Sequence, residues 1–138
     1  ICQTGSVCVT DFMFLEKYSH VSHIVSNIAG DLKPGTCVYD ILKSVFPGGT
    51  ITGCPKIRCM EIISELETVT RGPYSGSFGY IGFGHYMDLN IIIRSIVICG
   101  EIASFHVGAG IVADSNPQEE YQETLNKAAA MIQALSQH

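Results

Sequence analysis

Charge is scarce in this sequence: 15% of its 138 residues are Asp, Glu, Lys or Arg, against roughly 25% in soluble domains. So little charge leaves few groups to cover a surface. It fits either a membrane protein or a piece that buries one flank against a partner or against the rest of its own domain. Long apolar runs are missing too. The stretch Ile91–Cys99 is interrupted by Arg94 and Ser95 and stopped by Gly100, well short of the ~20 consecutive apolar residues that span a bilayer; it reads as a buried strand. Eight basic residues against thirteen acidic ones give a net charge of −5, and none of them forms a stripe, so the electrostatic footprint of a nucleic-acid surface is absent. The start, Ile1-Cys2-Gln3-Thr4, has neither an initiator Met nor a basic-then-apolar leader and reads as a chain cut from something longer. Among the six cysteines (Cys2, Cys8, Cys37, Cys54, Cys59, Cys99) there is no C-x-x-C pair, and a chain of this size needs no stapling. Reduced, mostly buried thiols in a cytoplasmic protein are expected. Repeats, low-complexity tracts and charge runs are absent as well, and the length predicts a single unit.

What is present is punctuated by Gly and Pro. Glu16–Ile28 has helical spacing, with Val21, Ile24, Val25 and Ile28 on one side and Gly30 as a stop, and a short helix is expected over Asp40–Phe46. Two prolines bracketing three glycines make Pro47–Pro55 a loop. Pro55 suits the first turn of a third helix, in which Ile57, Met60, Ile63 and Leu66 recur every three residues. Ser77–Phe83, Leu89–Ile98 and Ile102–Val107 read as strands joined by short connections, hence an antiparallel meander. Asn116-Pro117-Gln118-Glu119 opens a last helix with an N-cap, a first-turn proline and a capping-box carboxylate; its core face is Tyr121, Leu125, Ala128, Ile132 and Leu135. The fold class is therefore α+β, an antiparallel meander covered by helices.

Two glycine patterns imitate nucleotide motifs and fail. After Gly48 and Gly53 a phosphate loop needs Lys and then Ser or Thr, whereas Cys54-Pro55-Lys56 follows. Gly108-Ala109-Gly110-Ile111-Val112-Ala113 matches G-x-G-x-x-A, but the helix begins only near Pro117 and no second strand follows to carry a ribose-binding acid. A glycine loop entering a helix still presents amides to an anion, with Thr50 and Thr52 as hydroxyl donors, and a plain turn fits equally well. Arg94, in a run apolar on both alternating faces, must meet either an internal carboxylate or an anionic ligand. Glu120, Glu123 and Lys127 lie within about 60° of one another around the last helix. They form either a solvated i,i+4 pair with a bystander or half of a hard-cation site suited to magnesium. His20 and His23 sit three apart on the expected first helix, too isolated for zinc; a general-base role for His23 requires a substrate beside them.

Taken together, Phe46 to Lys56 (Phe-Pro-Gly-Gly-Thr-Ile-Thr-Gly-Cys-Pro-Lys), Arg71-Gly72-Pro73-Tyr74-Ser75-Gly76, Ile91-Ile92-Ile93-Arg94, Gly108 to Ser115, and Glu120-Tyr121-Gln122-Glu123-Thr124 with Lys127 resemble the chorismate-utilising enzymes, from about Gly5 to Ala134. The resemblance implies a portion of that family's α/β sandwich, binding chorismate or isochorismate with magnesium. It implies metal ligation by Glu120 and Glu123 and a substrate carboxylate held by Tyr74 and Arg94. Thr50, Gly108, Gly110 and Lys127 match substrate-pocket positions, and His23 a histidine beside the reacting ring.

Within the family, Pro-Gly-Gly-Thr-Ile-Thr-Gly resembles component I of aminodeoxychorismate synthase, whereas anthranilate synthases tend to carry Ser where Thr52 stands. The first reading implies amination of chorismate at ring C4, toward 4-aminobenzoate and folate, with ammonia from a glutamine amidotransferase partner. The others imply C2 amination with pyruvate loss, isochorismate or salicylate chemistry, or a non-catalytic interaction module derived from the family. The family's Glu-x-x-Glu-His and Pro-Ile-x-Gly-Thr motifs do not occur in these 138 residues. Residues 1–138 are accordingly expected to be a C-terminal portion of a catalytic domain that holds half of its site.

Overall fold

A computed structural model describes residues 1–17, 22–84 and 86–136, which fall into two units, Ile1–Phe46 and Pro47–His138. In the first, strands β1 (Cys8–Lys17) and β2 (Ser22–Ala29) form an antiparallel hairpin with Phe14 opposite Val25 and Glu16 opposite His23. The ladder shifts register around Asp11, and Met13 takes a φ of 49° beside that irregularity. Two bonds pin it: Asn27 Nδ2 donates to Asp11 Oδ2 at 3.0 Å and the Met13 amide to Ser26 Oγ at 3.0 Å.

The helix expected over Glu16–Ile28 is therefore a strand wherever that range is described. Ile24, Val25 and Ile28 satisfy a helical spacing, but β-branched side chains stiff at χ1 favour the pleat once a partner strand is available, and β1 is that partner. His23 and Val25 are the half-buried positions of β2, a period of two. His20 and Val21 lie outside the described residues. Helix α1 (Val38–Val45) follows as expected. The Cys37 side chain and then its amide hydrogen-bond to Asp40 and hold that carboxyl below the usual range.

In the second unit, the glycine loop contains one helical turn, α2 (Gly49–Thr52), ahead of α3 (Lys56–Leu66). The meander resolves into two separate hairpins: β3 (Ser77–Ile81) with β4 (Met87–Ile91), and β5 (Ile96–Cys99) with β6 (Ile102–Phe105). The single strand expected over Leu89–Ile98 is broken because Arg94 adopts a φ of 52°, which interrupts the pleat. At the tip of the second hairpin, Cys99 pairs with Ile102 and Gly100 has a φ of 61°. Glycine at the first of two loop positions is what a type II′ turn demands.

Helix α4 (Pro117–Ser136) buries Ala128 and Met131. Of the core face expected from its sequence, Ala128 is buried, but Tyr121, Leu125, Ile132 and Leu135 are exposed, and Met131 takes the inward place. Neither is Ile91–Cys99 a buried strand, since Ile98 is 71% exposed. The described residues leave long stretches of apolar side chain uncovered, which is where the low charge content leads. The six cysteines are free, though exposed or half-buried rather than buried. Among the described residues no helix is long and apolar enough to cross a membrane.

Candidate functional site

The second unit gathers most of the candidate residues around the start of α4. Asn116 caps this helix through Oδ1, which accepts from the amides of Gln118 at 3.0 Å and Glu119 at 3.4 Å. That cap fixes the rotation of the first turn, so Glu120, Glu123 and Lys127 project from one side. Lys127 Nζ pairs with Glu123 Oε1 at 2.5 Å and donates to the Gly108 carbonyl at 3.1 Å. It thereby ties the glycine segment to the helix across 19 residues. An ammonium has three N–H donors, so one proton remains after these two partners.

Gly108 also touches Tyr74. A Cβ at this position would lie 2.8 Å from the tyrosine Oη, so only glycine lets the phenol approach the backbone. Tyr74 is held from both ends: it stacks on His106 with ring centroids 5.5 Å apart at 15°, and the Arg71 guanidinium lies 5.6 Å from its ring centroid.

Arg71 entered the sequence reading only as part of the motif Arg71–Gly76, with no role assigned to it, yet it anchors this wall. Its Nε and Nη2 donate to the two carboxylate oxygens of Glu67 at 2.8 and 2.5 Å, and Nη1 donates to Ser75 Oγ at 3.0 Å. The i,i+4 spacing of Glu67 and Arg71 was the available signal. The hydrogen bonds from Arg71 hold the Glu67 carboxyl below its ordinary 4.5. A folded-state value below the unfolded one stabilises the fold above pH 4.5, and the contribution is lost as pH falls through the folded value. With the side chains 25% and 40% exposed, screening reduces the pair to about 0.5–1 kcal/mol. Arg71→Gln should accordingly destabilise by that amount from neutral pH down to about pH 5, with the gap to the parent closing below about pH 4. Denaturant titrations across pH check this; a gap undiminished in acid would assign the loss to packing instead.

A cleft of about 880 Å³ brings Thr50 and Arg71 to the same wall system as Ala109 and Gly110. Thr52 lines it as well, but its hydroxyl donates within its own turn to the Gly48 carbonyl at 3.1 Å, so the expected second hydroxyl donor is already committed. A neighbouring hollow of about 500 Å³ is lined by Ala109, Ile111, Ser115 and Glu120 among others. There Glu120 Oε1 accepts from Ser115 Oγ at 2.6 Å, while Oε2 is buried with no hydrogen-bond partner among the described residues. A desolvated carboxylate oxygen without a donor is costly, and a hard cation seeking oxygen ligands meets that need. Glu120 is thus suited to a cation through Oε2, whereas Glu123 Oε1 is paired with Lys127; no cluster of three or more His, Cys, Asp or Glu suited to a metal occurs among the described residues.

Arg94 is exposed and outside any strand, contrary to its reading as a cation buried in a sheet. His23 lies on β2 in the first unit, opposite Glu16.

The sequence matches the family described as chorismate binding enzyme over residues 1–133. The chain belongs to the chorismate binding enzymes. It is 53% identical over 135 residues to aminodeoxychorismate synthase component 1 of Bacillus subtilis (strain 168), covering 98% of this chain and 29% of that protein. Its identity to anthranilate synthase component 1 of Synechocystis sp. (strain ATCC 27184 / PCC 6803 / Kazusa) is 50% over 140 residues, covering 98% of this chain and 28% of that protein. The crystal structure of anthranilate synthase component I from Streptococcus pneumoniae TIGR4 superposes with a TM-score of 0.86 at 46% identity, over 95% of this chain and 30% of that one. The chain therefore spans somewhat under a third of the length of these chorismate binding enzymes. The family's mixed architecture of helices and antiparallel strands agrees with the α+β class read from the sequence.

Proposed function

We propose that these residues supply part of the active site of a chorismate-aminating synthase of the aminodeoxychorismate type, which replaces the ring C4 hydroxyl of chorismate with ammonia. The observation that carries this reading is the set of polar groups converging on the start of α4. Glu120 keeps a buried oxygen with no donor, and Lys127 joins Glu123 to the Gly108 carbonyl beside Tyr74. The Thr-Ile-Thr form of the glycine loop and the Bacillus subtilis relative favour C4 amination.

In this reading Glu120 and Glu123 hold magnesium, which when bound supplies a fixed positive charge toward a substrate carboxylate. Tyr74 and Arg94 orient a carboxylate, the phenol as a hydrogen-bond donor and the guanidinium as a planar fork. The Gly108 and Gly110 amides, the Thr50 hydroxyl and the third Lys127 proton meet other substrate oxygens. A glutamine amidotransferase delivers ammonia. The second reading, amination at C2 with loss of pyruvate, is favoured by the relatives named anthranilate synthase.

The test takes a protein that carries these residues together with the remaining length found in its relatives. Incubated with chorismate, an ammonium salt and magnesium, it should yield aminodeoxychorismate by chromatography. Anthranilate as the product would select the second reading, and unchanged chorismate in the presence of a competent glutaminase and glutamine would overturn both. The 138-residue chain by itself should give no product and bind magnesium weakly, because two carboxylates supply only a fraction of the roughly six oxygens this ion takes. Measurable turnover by that chain would contradict the assignment of a partial site.

A further inference from the structure

The Ser115 hydroxyl is placed between two groups that do not otherwise meet. Its Oγ accepts from the Val112 amide at 3.0 Å and donates to Glu120 Oε1 at 2.6 Å. A serine hydroxyl has one proton. Because the amide contact uses an oxygen lone pair, that proton is committed to the carboxylate. Ser115 is half-buried, as is Glu120, so water competes weakly for the bond. The Ser115 amide in turn donates to the Val112 carbonyl at 3.1 Å, closing the segment Val112–Ser115 into a turn whose hydroxyl faces the first turn of α4. Glu120 is consequently held through one oxygen, while the other is buried and unpartnered.

We propose that Ser115 is the positioning residue of Glu120. It fixes the carboxylate rotamer so that Oε2 is presented for cation binding, and it couples that orientation to the glycine segment Gly108–Ala113. The inference rests on the reading of Glu120 as a metal ligand. It assigns to Ser115 no contact with substrate or metal; the hydroxyl acts through Glu120 by removing the freedom of a carboxylate that would otherwise rotate and by satisfying Oε1. Outer partners of this kind typically govern 10–100-fold in metal affinity.

The test compares the parent, Ser115→Ala, Ser115→Thr and Glu120→Gln in the full-length enzyme. Direct Mn²⁺ binding is followed by electron paramagnetic resonance, and the Mg²⁺ requirement of the reaction is titrated in parallel. Ser115→Ala should raise the Mn²⁺ Kd about 10–100-fold and shift the Mg²⁺ activation curve by a similar factor, with kcat recovered at saturating Mg²⁺. Ser115→Thr, which keeps the hydroxyl, should restore both. Loss of Mn²⁺ binding in Glu120→Gln together with parental binding in Ser115→Ala would overturn the role of Ser115 and leave the metal reading standing. Parental binding in Glu120→Gln would remove the metal reading and the positioning role with it. Lowered thermal stability in Ser115→Ala with an unchanged Kd would reduce Ser115 to a turn-closing residue and so refute the proposal.

Discussion

Glu120→Gln, introduced into the full-length enzyme, is expected to lower kcat/KM for chorismate by about 10³-fold while leaving the fold intact. The substitution keeps the shape of the side chain, and the amide oxygen can still accept from Ser115 Oγ, so the turn ahead of α4 retains its closing bond. What is lost is the anionic character of an oxygen that is buried without a partner. Electrostatic stabilisation by a bound cation is worth several kcal/mol, and each 1.36 kcal/mol is a decade in rate, hence about 10³-fold. Steady-state kinetics at several magnesium concentrations, with circular dichroism as a control for folding, measure the effect. A loss of less than about threefold would mean that Glu120 belongs to an ordinary polar face.

Arg94→Gly separates two effects of opposite sign. Arg94 holds a φ of 52°, a conformation that costs an L-residue with a Cβ about 1–2 kcal/mol and glycine nothing comparable. Relief of that strain opposes whatever stability the contacts of the side chain supply, so the variant should lose no more than about 1 kcal/mol. Removing the guanidinium should nonetheless cost about 30-fold or more in kcat/KM, because truncating one partner of a charge pair buried with the ligand costs about 2–5 kcal/mol. Denaturant midpoints and kinetics on the same preparation decide the matter. Parallel loss of stability and activity would instead make Arg94 a member of a structural ion pair. Backbone strain of this kind is tolerated at functional sites.

The sequence carried the second unit better than the first. Helix α3, helix α4 with its cap and the strand-rich region before it could all be read from spacing and punctuation, because these elements are short-range. The first unit differs from its reading at Glu16–Ile28 because Ile24, Val25 and Ile28 satisfy two periodicities at once, and the choice between them rests on the partner strand β1, where they pair with Leu15, Phe14 and Val9. Arg94 was misplaced for a related reason. An apolar run interrupted only by Arg94 and Ser95 gives no sign that one of them is left-handed, so the break between β4 and β5 was not readable. At the site, helix geometry alone grouped Glu120, Glu123 and Lys127, but their meaning came from ordered motifs resembling the family. The contacts of Lys127 with Gly108 and of Ser115 with Glu120 required coordinates, since they join a loop to a helix by angle rather than by spacing.

The pairing of β3 with β4 and of β5 with β6 has a further consequence for how this region comes into being. Each ladder connects strands adjacent in the chain, one across Gly82–Tyr86 and the other across Gly100 and Glu101. Contacts of such short sequence separation form quickly, on the order of 1–10 µs for a hairpin, far faster than a ribosome adds a residue. During synthesis both hairpins can close as soon as Phe105 has emerged, while α4 (Pro117–Ser136) is still inside the ribosome. The helix that delivers the carboxylates follows both hairpins in the chain, so the site is finished only after they have closed.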